Sequence, residues 1–157
     1  MFNLENYCLV TGRKGLTIVF SKQFPEDYLL DKTLFGLSGE ELKSALKKPF
    51  YLSCDLDIEI KYNNEDYFFT ILKGYDWNGA NVPMCFWHLI GQQKEPRFKL
   101  ASLVHDYLCE HKEVINSNRY LSTLVFEALL EYFGRFNKFK RWLMFHSVDN
   151  FQKLQKW

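Results

Sequence analysis

His105 and Asp106 are adjacent in an otherwise largely apolar segment, and they form the pair in this sequence with the clearest chemical potential. A histidine beside a carboxylate can act as a general base with its orienting acid, or it can supply two ligands to one metal ion. The same pair is equally compatible with a buried imidazole that hydrogen-bonds a neighbouring loop. His-Asp dipeptides are common, and the pair alone does not decide between these roles.

A second concentration of polar residues lies at positions 74–83, directly after a predicted strand. Asn78-Gly79 favours positive φ, and Pro83 holds the residue before it in extended geometry. The segment therefore predicts an ordered loop at the end of a sheet, where binding and catalytic residues often lie. The alternative is a capping turn whose Asp and Asn side chains bind backbone amides. The candidate loop residues are Asp76, Trp77, Asn78, Gly79, Asn81 and Pro83.

We expect this loop and the His-Asp pair to meet. Buried polar groups inside a helix need hydrogen-bond partners nearby, and His105 and Asp106 should therefore lie within direct or one-water reach of residues 76–81. Asp76 is then the third candidate catalytic residue. The sequence leaves the cofactor open; if it is a divalent metal ion, His105 and Asp106 are the predicted ligands.

The four cysteines are scattered without a CxxC pair, which indicates reduced thiols and no disulfide framework. Cys109 lies one helical turn after His105 and could share a zinc ion with it, but the more ordinary interpretation is a small core residue. His111 and His146 have no partner at ligand spacing and are predicted to lie at the surface or an interface.

Composition and charge limit the classes of protein that this chain can represent. Its 157 residues suit one domain, and a hydrophobic content of 47% excludes an intrinsically disordered chain. The net charge of +1 argues against binding of nucleic acid through bulk electrostatics, although residues 134–157 carry six basic side chains and one acidic one. No apolar stretch reaches the roughly 18 residues of a membrane span. We expect a cytoplasmic protein without a signal peptide.

The first half of the chain has the alternation of β structure. Residues 7–11 and 16–20 predict a hairpin, and residues 55–62 alternate apolar and polar side chains before a turn and a returning strand at residues 67–72. One helix interrupts this half: Ser38 and Glu41 form a capping box, and Pro49 ends the helix.

The second half changes to helical periodicity. Helices are predicted after Pro96, over residues 117–133, and from about residue 138. Strands followed by helices predict an α+β fold, with a small antiparallel sheet packed against three or more helices in a single domain over residues 1–157.

The ordered motifs of the second half resemble a known family. They are Asp76-Trp77-Asn78-Gly79-Ala80-Asn81-Val82-Pro83, Phe86-Trp87, Pro96 and His105-Asp106-Tyr107-Leu108. Their order and spacing resemble the phage and prophage family catalogued as domain of unknown function 1353, over about residues 56–157, with residues 1–55 outside the resemblance. That family has no established activity, and the resemblance implies a shared fold and a phage or prophage setting.

The departures from the family pattern concern its polar residues. Arg119 is kept, but Thr123 stands where the family usually has Asp, and Asp149 stands where it usually has Arg. If the family's Asp/His/Asp set were a metal site, this chain would lack at least one ligand, and loss of a ligand commonly abolishes metal binding.

Three functions follow from these features. The first is a binding module, virion-associated or directed at a phage or host protein, in which a buried Asp/Asn/His network locks the loop onto the helix and exposed aromatics bind the partner. The second is a hydrolase based on His105 and Asp106, acting on peptidoglycan, a nucleotide or a phosphoester with or without a metal. The third is a His/His-Asp/Asp phosphohydrolase with His88 and Asp149 as further ligands, but that scaffold is all-helical.

Overall fold

The computed structural model describes residues 6–79, 98–134 and 137–154. Within these residues, strands fill the first half and helices the second, which confirms the predicted α+β class. The strands are β1 (Cys8–Thr11), β2 (Thr17–Phe20), β3 (Leu29–Asp31), β4 (Phe50–Leu52), β5 (Leu56–Tyr62), β6 (Glu65–Ile71) and β7 (Asp76–Trp77). The α-helices are α1 (Gly39–Lys47), α2 (Lys99–Glu110), α3 (Arg119–Leu129) and α4 (Lys138–Leu154).

The larger sheet is antiparallel, with strand order β1-β2-β5-β6. Alternate residues of β5 are buried, as the sequence pattern predicts, because successive side chains of a strand point to opposite faces. The turn from β5 to β6 contains only Asn63 and Asn64, with φ of 51° and 63°. Two consecutive residues with positive φ are typical of the tight turns that fit the twist of paired strands.

A second sheet, absent from the sequence prediction, joins β3, β4 and β7 in that order. Its short strands come from distant parts of the chain. Asp76 and Trp77, predicted as loop residues, pair with Tyr51 and Phe50 on β4. The start of the predicted loop is therefore fixed to a sheet by backbone hydrogen bonds.

The helices pack in sequence, α2 against α3 and α3 against α4, and one hydrophobic core runs through both sheets and the helices. Phe69 of β6 stacks on Tyr107 of α2 with ring centroids 5.4 Å apart. Ser38 occupies the predicted N-cap position of α1 with extended geometry, but its side chain makes no capping hydrogen bond. Asn118 caps α3 and accepts a hydrogen bond from the backbone N–H of Leu121.

Gly12 allows the β1–β2 hairpin to approach α3. A Cβ atom at Gly12 would lie 2.9 Å from the Cβ of Ala128, which is closer than side chains pack. The absence of a side chain at this position therefore brings the larger sheet into contact with the helix that follows the His-Asp helix.

Candidate functional site

His105 lies on α2, with its side chain 13% exposed. Its ring packs against Phe126 of α3 at a centroid distance of 5.1 Å. The Nε2 atom of His105 lies 2.8 Å from the amide nitrogen of Gln152 on α4. The imidazole is thus enclosed by three helices, and a protein side chain occupies one of its two nitrogen atoms.

Gln152 connects His105 to α3. Its side chain is buried, and its Oε1 accepts a hydrogen bond from Thr123 at 3.0 Å. The same amide lies 3.4 Å from Ser122 Oγ and donates toward Cys109 Sγ at 3.5 Å. Thr123 is therefore linked to His105 through the side-chain amide of Gln152.

Asp106 connects α2 to the segment that follows β7. The Asn78 amide, with its nitrogen toward Asp106, donates to Oδ2 at 3.0 Å and to the Gly79 carbonyl at 3.1 Å, an orientation assigned from the hydrogen-bond network. Gly79 has φ of 91°, a conformation that glycine adopts without strain. The expected contact with residues 76–81 is thus made by Asp106 through Asn78, whereas His105 contacts Gln152 and Cys109.

The two members of the pair influence each other's protonation. Burial lowers the pKa of His105, but hydrogen bonding to Asp106 and Cys109 outweighs it and raises the pKa to about 9. Burial raises the pKa of Asp106, against the lowering effect of His105. A protonated His105 donates from both nitrogens, which requires the Gln152 amide to turn its oxygen toward Nε2.

Tyr75 lies at the edge of this network. Its hydroxyl is buried, and it has no hydrogen-bond partner in the described structure. Burial, followed by the charges of Glu110 and Asp106, raises the pKa of the Tyr75 hydroxyl. Sequence reasoning did not select this residue, because a tyrosine before a strand gives no signal of such surroundings.

Asp76 and Trp77 point to opposite sides of β7. Asp76 forms ion pairs with Lys32 at 2.6 Å and Lys48 at 3.7 Å, and it does not join the network of His105 in the described residues. Trp77 is buried and donates from Nε1 to Ser102 at 3.0 Å. Asp76 therefore serves an ion-pair cluster, and Trp77 attaches the small sheet to α2.

Arg119 binds α4. Its guanidinium pairs with the carboxylate of Asp149, which also receives the Lys153 ammonium at 3.0 Å. Burial opposes ionisation of Asp149, but hydrogen bonds from Lys153 and Arg119 lower its pKa below the usual value. Asp149 is thus held by an arginine and a lysine, and its contacts differ from those of a metal ligand.

Several predicted residues lie outside the described residues, namely Asn81, Pro83, Trp87, His88 and Pro96. Among the residues that the structure describes, no three His, Cys, Asp or Glu side chains are arranged to hold a metal ion. Among the described residues near His105, the side chains that could act as metal ligands are Asp106 and Cys109. The other polar neighbours are Thr123 and Gln152. These residues do not fit a divalent-metal site.

A groove of about 710 Å³ lies along α4, away from His105. The exposed side chains of Phe139 and Trp142 stack at its edge, with ring centroids 6.3 Å apart, and Trp142 contacts His146. Within the groove, Arg13 pairs with Glu127 at 2.8 Å. Exposed aromatic side chains beside charged ones are typical of protein-binding surfaces.

Residues 54–148 match the family described as Protein of unknown function (DUF1353). The chain belongs to this family. The chain is similar to Uncharacterized protein y4jT of Sinorhizobium fredii (strain NBRC 101917 / NGR234). The two are 35% identical over 77 residues, which cover 49% of this chain and 22% of that relative. No solved structure matches this DUF1353 protein. None of its described helices combines the length and hydrophobicity that a membrane crossing requires.

One residue of the DUF1353 site escaped sequence reasoning, and a second, already paired with His105 from the sequence, is less buried than expected. Gln152 was not selected, because a glutamine 47 positions from His105 gives no signal of proximity. Cys109 was interpreted as a small core residue, but it is a half-buried free thiol. Its spacing of four residues from His105, which places two side chains on one helix face, was the available signal.

Proposed function

We propose that this domain is a protein-binding module whose His105 centre maintains the fold and does not catalyse a reaction. The observation that supports this is the contact of Gln152 with His105 at 2.8 Å, because it occupies one of the two ring nitrogens through which an imidazole acts on a substrate or binds a metal. Asp106 is similarly engaged by Asn78 at 3.0 Å. A polar network whose members bind each other holds helices and loop in one arrangement.

The groove along α4 is the proposed binding surface. Its acidic side chains are already paired with basic ones, as in Arg13–Glu127 and Lys153–Asp149. Lys138 lines the groove without an ion pair among the described residues, whereas the Arg141 guanidinium is already paired with Glu131. The surface therefore favours a protein segment that presents a carboxylate beside an apolar side chain. The net charge of +1 over the whole chain disfavours nucleic acid, because its binding depends on many basic contacts to phosphates.

The proposed setting is a phage or prophage, with the domain acting in the host cytoplasm or on the virion through a phage or host protein. This setting rests on the motif resemblance described above. A modular role is supported by the relative from Sinorhizobium fredii, since the matching segment is 22% of that protein.

Site-specific photocrosslinking in cells that naturally produce the protein tests the binding proposal. A photoreactive amino acid in place of Trp142 should crosslink to one protein. The crosslinked peptide of that protein should carry a carboxylate side chain beside an apolar one. The same group at Phe35, which is 95% exposed and outside the groove, serves as the control. The isolated peptide should bind the domain, and Trp142→Ala should weaken binding by about tenfold or more. Equal crosslinking at both positions, or unchanged affinity, would contradict the proposal.

A hydrolase is the second candidate, and the observation that favours it is the buried hydroxyl of Tyr75, which has no hydrogen-bond partner among the described residues. A hydroxyl without a partner near Asp106 and Glu110 could bind a polar substrate group. Assays with peptidoglycan, nucleotides and phosphoesters, together with metal analysis of the purified protein, distinguish the candidates. Turnover that disappears in His105→Gln would establish the hydrolase and remove the non-catalytic proposal.

A further inference from the structure

The exposed face of α4 has the periodicity of a helix that packs against another helix. Four exposed side chains follow one another at intervals of three, four and four residues, namely Phe139, Trp142, His146 and Asn150. Residues at these intervals lie on one face of a helix. The two aromatic residues, Phe139 and Trp142, are 60% and 56% exposed. α4 therefore presents a stripe to solvent along the groove, while it also packs against α3.

The long walls of the groove are helical. α4 forms one wall, and Tyr120 and Glu127 of α3 contribute to the other. The backbone N–H and C=O groups within a helix bond to each other, and these walls therefore do not supply the row of backbone partners that an extended peptide pairs with at a sheet edge. A helical segment satisfies its own backbone and needs only side-chain contacts. The groove therefore favours a helix over a strand.

Charge determines which kind of helix fits the groove. Each of the three acidic side chains that line it has a basic partner, in the pairs Arg13–Glu127, Arg141–Glu131 and Lys153–Asp149. Asp149 is paired with Arg119 as well, and Lys138 has no ion pair among the described residues. The groove therefore retains positive charge. A second copy of α4 would bring like charges together, since residues 134–157 carry six basic side chains and one acidic one.

We propose that the partner segment is an acidic amphipathic α-helix that lies along α4, with apolar side chains on Phe139 and Trp142 and a carboxylate near Lys138. This inference rests on the proposed binding function and specifies its partner. Side chains that anchor a helix in a groove recur every three or four residues, which is also the repeat of the stripe on α4. The bound helix would continue the sequential packing in which α2 contacts α3 and α3 contacts α4.

A series of photocrosslinks along α4 tests the conformation of the partner segment. A photoreactive amino acid replaces Trp142, His146 and Asn150 in turn, in cells that naturally produce the protein. Successive positions lie about 6 Å apart along α4, because a helix rises about 1.5 Å per residue. On a helical partner the crosslinked residue should therefore move by about four residues per step, in one direction along one segment. On an extended partner it would move by about two residues, at about 3.3 Å per residue.

The outcomes separate the helical partner from the binding function itself. Steps of about two residues would overturn the helical partner and leave the binding proposal in place. Crosslinks that share no segment of one protein would overturn both proposals. Crosslinks to a second copy of this chain would overturn the acidic partner.

A charge exchange tests the acidic character of the partner helix. Lys138→Glu should weaken binding of the crosslinked segment, prepared as a synthetic peptide, by about fivefold or more. Lys73→Glu makes the same charge change at an exposed residue between β6 and β7 and should leave the affinity unchanged. Replacement of the acidic residue of the peptide by lysine should restore its affinity for the Lys138→Glu protein. Equal affinities of the two variants for the original peptide would overturn the role of the carboxylate.

Discussion

At the scale of single residues, His105 shows how neighbours determine what a histidine does. The His105-Asp106 pair allows either a base or a structural imidazole, and no property of the two residues distinguishes these roles. The difference lies in Gln152, which contacts Nε2, and in Asn78, which contacts Asp106. Each added partner turns a group that could bind substrate into part of a network that joins three helices and a loop.

Replacement of His105 by alanine should lower the stability of the domain. The change removes the shortest contact of the buried Gln152 amide, at 2.8 Å, and a buried polar group that loses such a partner costs about 1–3 kcal/mol. For a domain of this size the melting temperature should fall by roughly 2–4 °C per kcal/mol. Treatment of the wild type with a chelator is the control and should not reproduce the decrease. An unchanged or raised melting temperature would favour the hydrolase.

The stability of the domain should depend on the protonation of His105. Its pKa in the folded protein, about 9, lies above the value of about 6.5 in an unfolded chain. The contribution of protonation is therefore fully present below about pH 6.5 and is lost as the pH rises through about 9. Melting temperatures measured from pH 6 to pH 10 should decline less steeply in His105→Gln than in the wild type. Parallel curves for the two proteins would exclude a raised pKa.

At the scale of elements, strong periodicity made β5 and the β1–β2 hairpin predictable. The burial of β5 follows its alternating residues from Leu56 to Tyr62. The small sheet was not predictable in this way, because strands of two or three residues have no measurable period. Its existence depends on tertiary packing, such as the contact of Trp77 with Ser102.

The sequence predicted those residues of the candidate site that stand out from their local surroundings, but it did not predict which of them meet. Asn78 and Asp106 were each recognisable from unusual residues in a loop and a helix, and the structure brings them together. Asp76 carried the same local signal but pairs with Lys32 and Lys48. Along a strand neighbouring side chains point in opposite directions, and the sequence did not reveal that residues 76–77 form a strand.

The close approach of the hairpin and α3 at Gly12 can be tested by a double-mutant cycle. Gly12→Ala should destabilise the domain by about 1–3 kcal/mol, because the new methyl group would overlap the side chain of Ala128. In an Ala128→Gly background the overlap with Ala128 is absent and only the 3.0 Å approach to Leu16 Cδ2 remains, and Gly12→Ala should therefore cost less. Denaturant unfolding of the four proteins gives the coupling energy. A cost that is equal in both backgrounds would show that Gly12 does not set this distance.

The ion pair between α3 and α4 should contribute stability that disappears in acid. The pKa of Asp149 is lowered in the folded state, and its contribution is therefore present above the unfolded value of about 3.9 and lost as the pH falls below it. Asp149→Asn should cost about 1–3 kcal/mol near neutral pH, between the values for exposed and buried pairs. Melting at pH 7 and at pH 3 measures the difference. An equal cost at both pH values would contradict the electrostatic origin.

At the scale of the whole molecule, one core connects elements that the sequence presents as two unlike halves. Leu52 of the small sheet, Ile58 of the larger sheet and Leu103 of α2 are all fully buried in the same hydrophobic cluster. Because neither sheet has a separate core, we expect the described residues to unfold as one unit; the single domain over residues 1–157 stays a prediction. The exposed aromatic side chains of α4, Phe139 and Trp142, remain outside this core, at the groove proposed to bind a partner.

Leu52→Ala tests whether the molecule is a single cooperative domain. The substitution removes a fully buried side chain from the small sheet and should cost about 2–5 kcal/mol. If both sheets and the helices share one core, far-UV circular dichroism and tryptophan fluorescence should report the same lowered melting temperature. Leu72→Ala is the control, because Leu72 is 64% exposed and its loss should change stability by less than about 0.5 kcal/mol. Separation of the two transitions in Leu52→Ala would instead show that the small sheet unfolds independently of the helices.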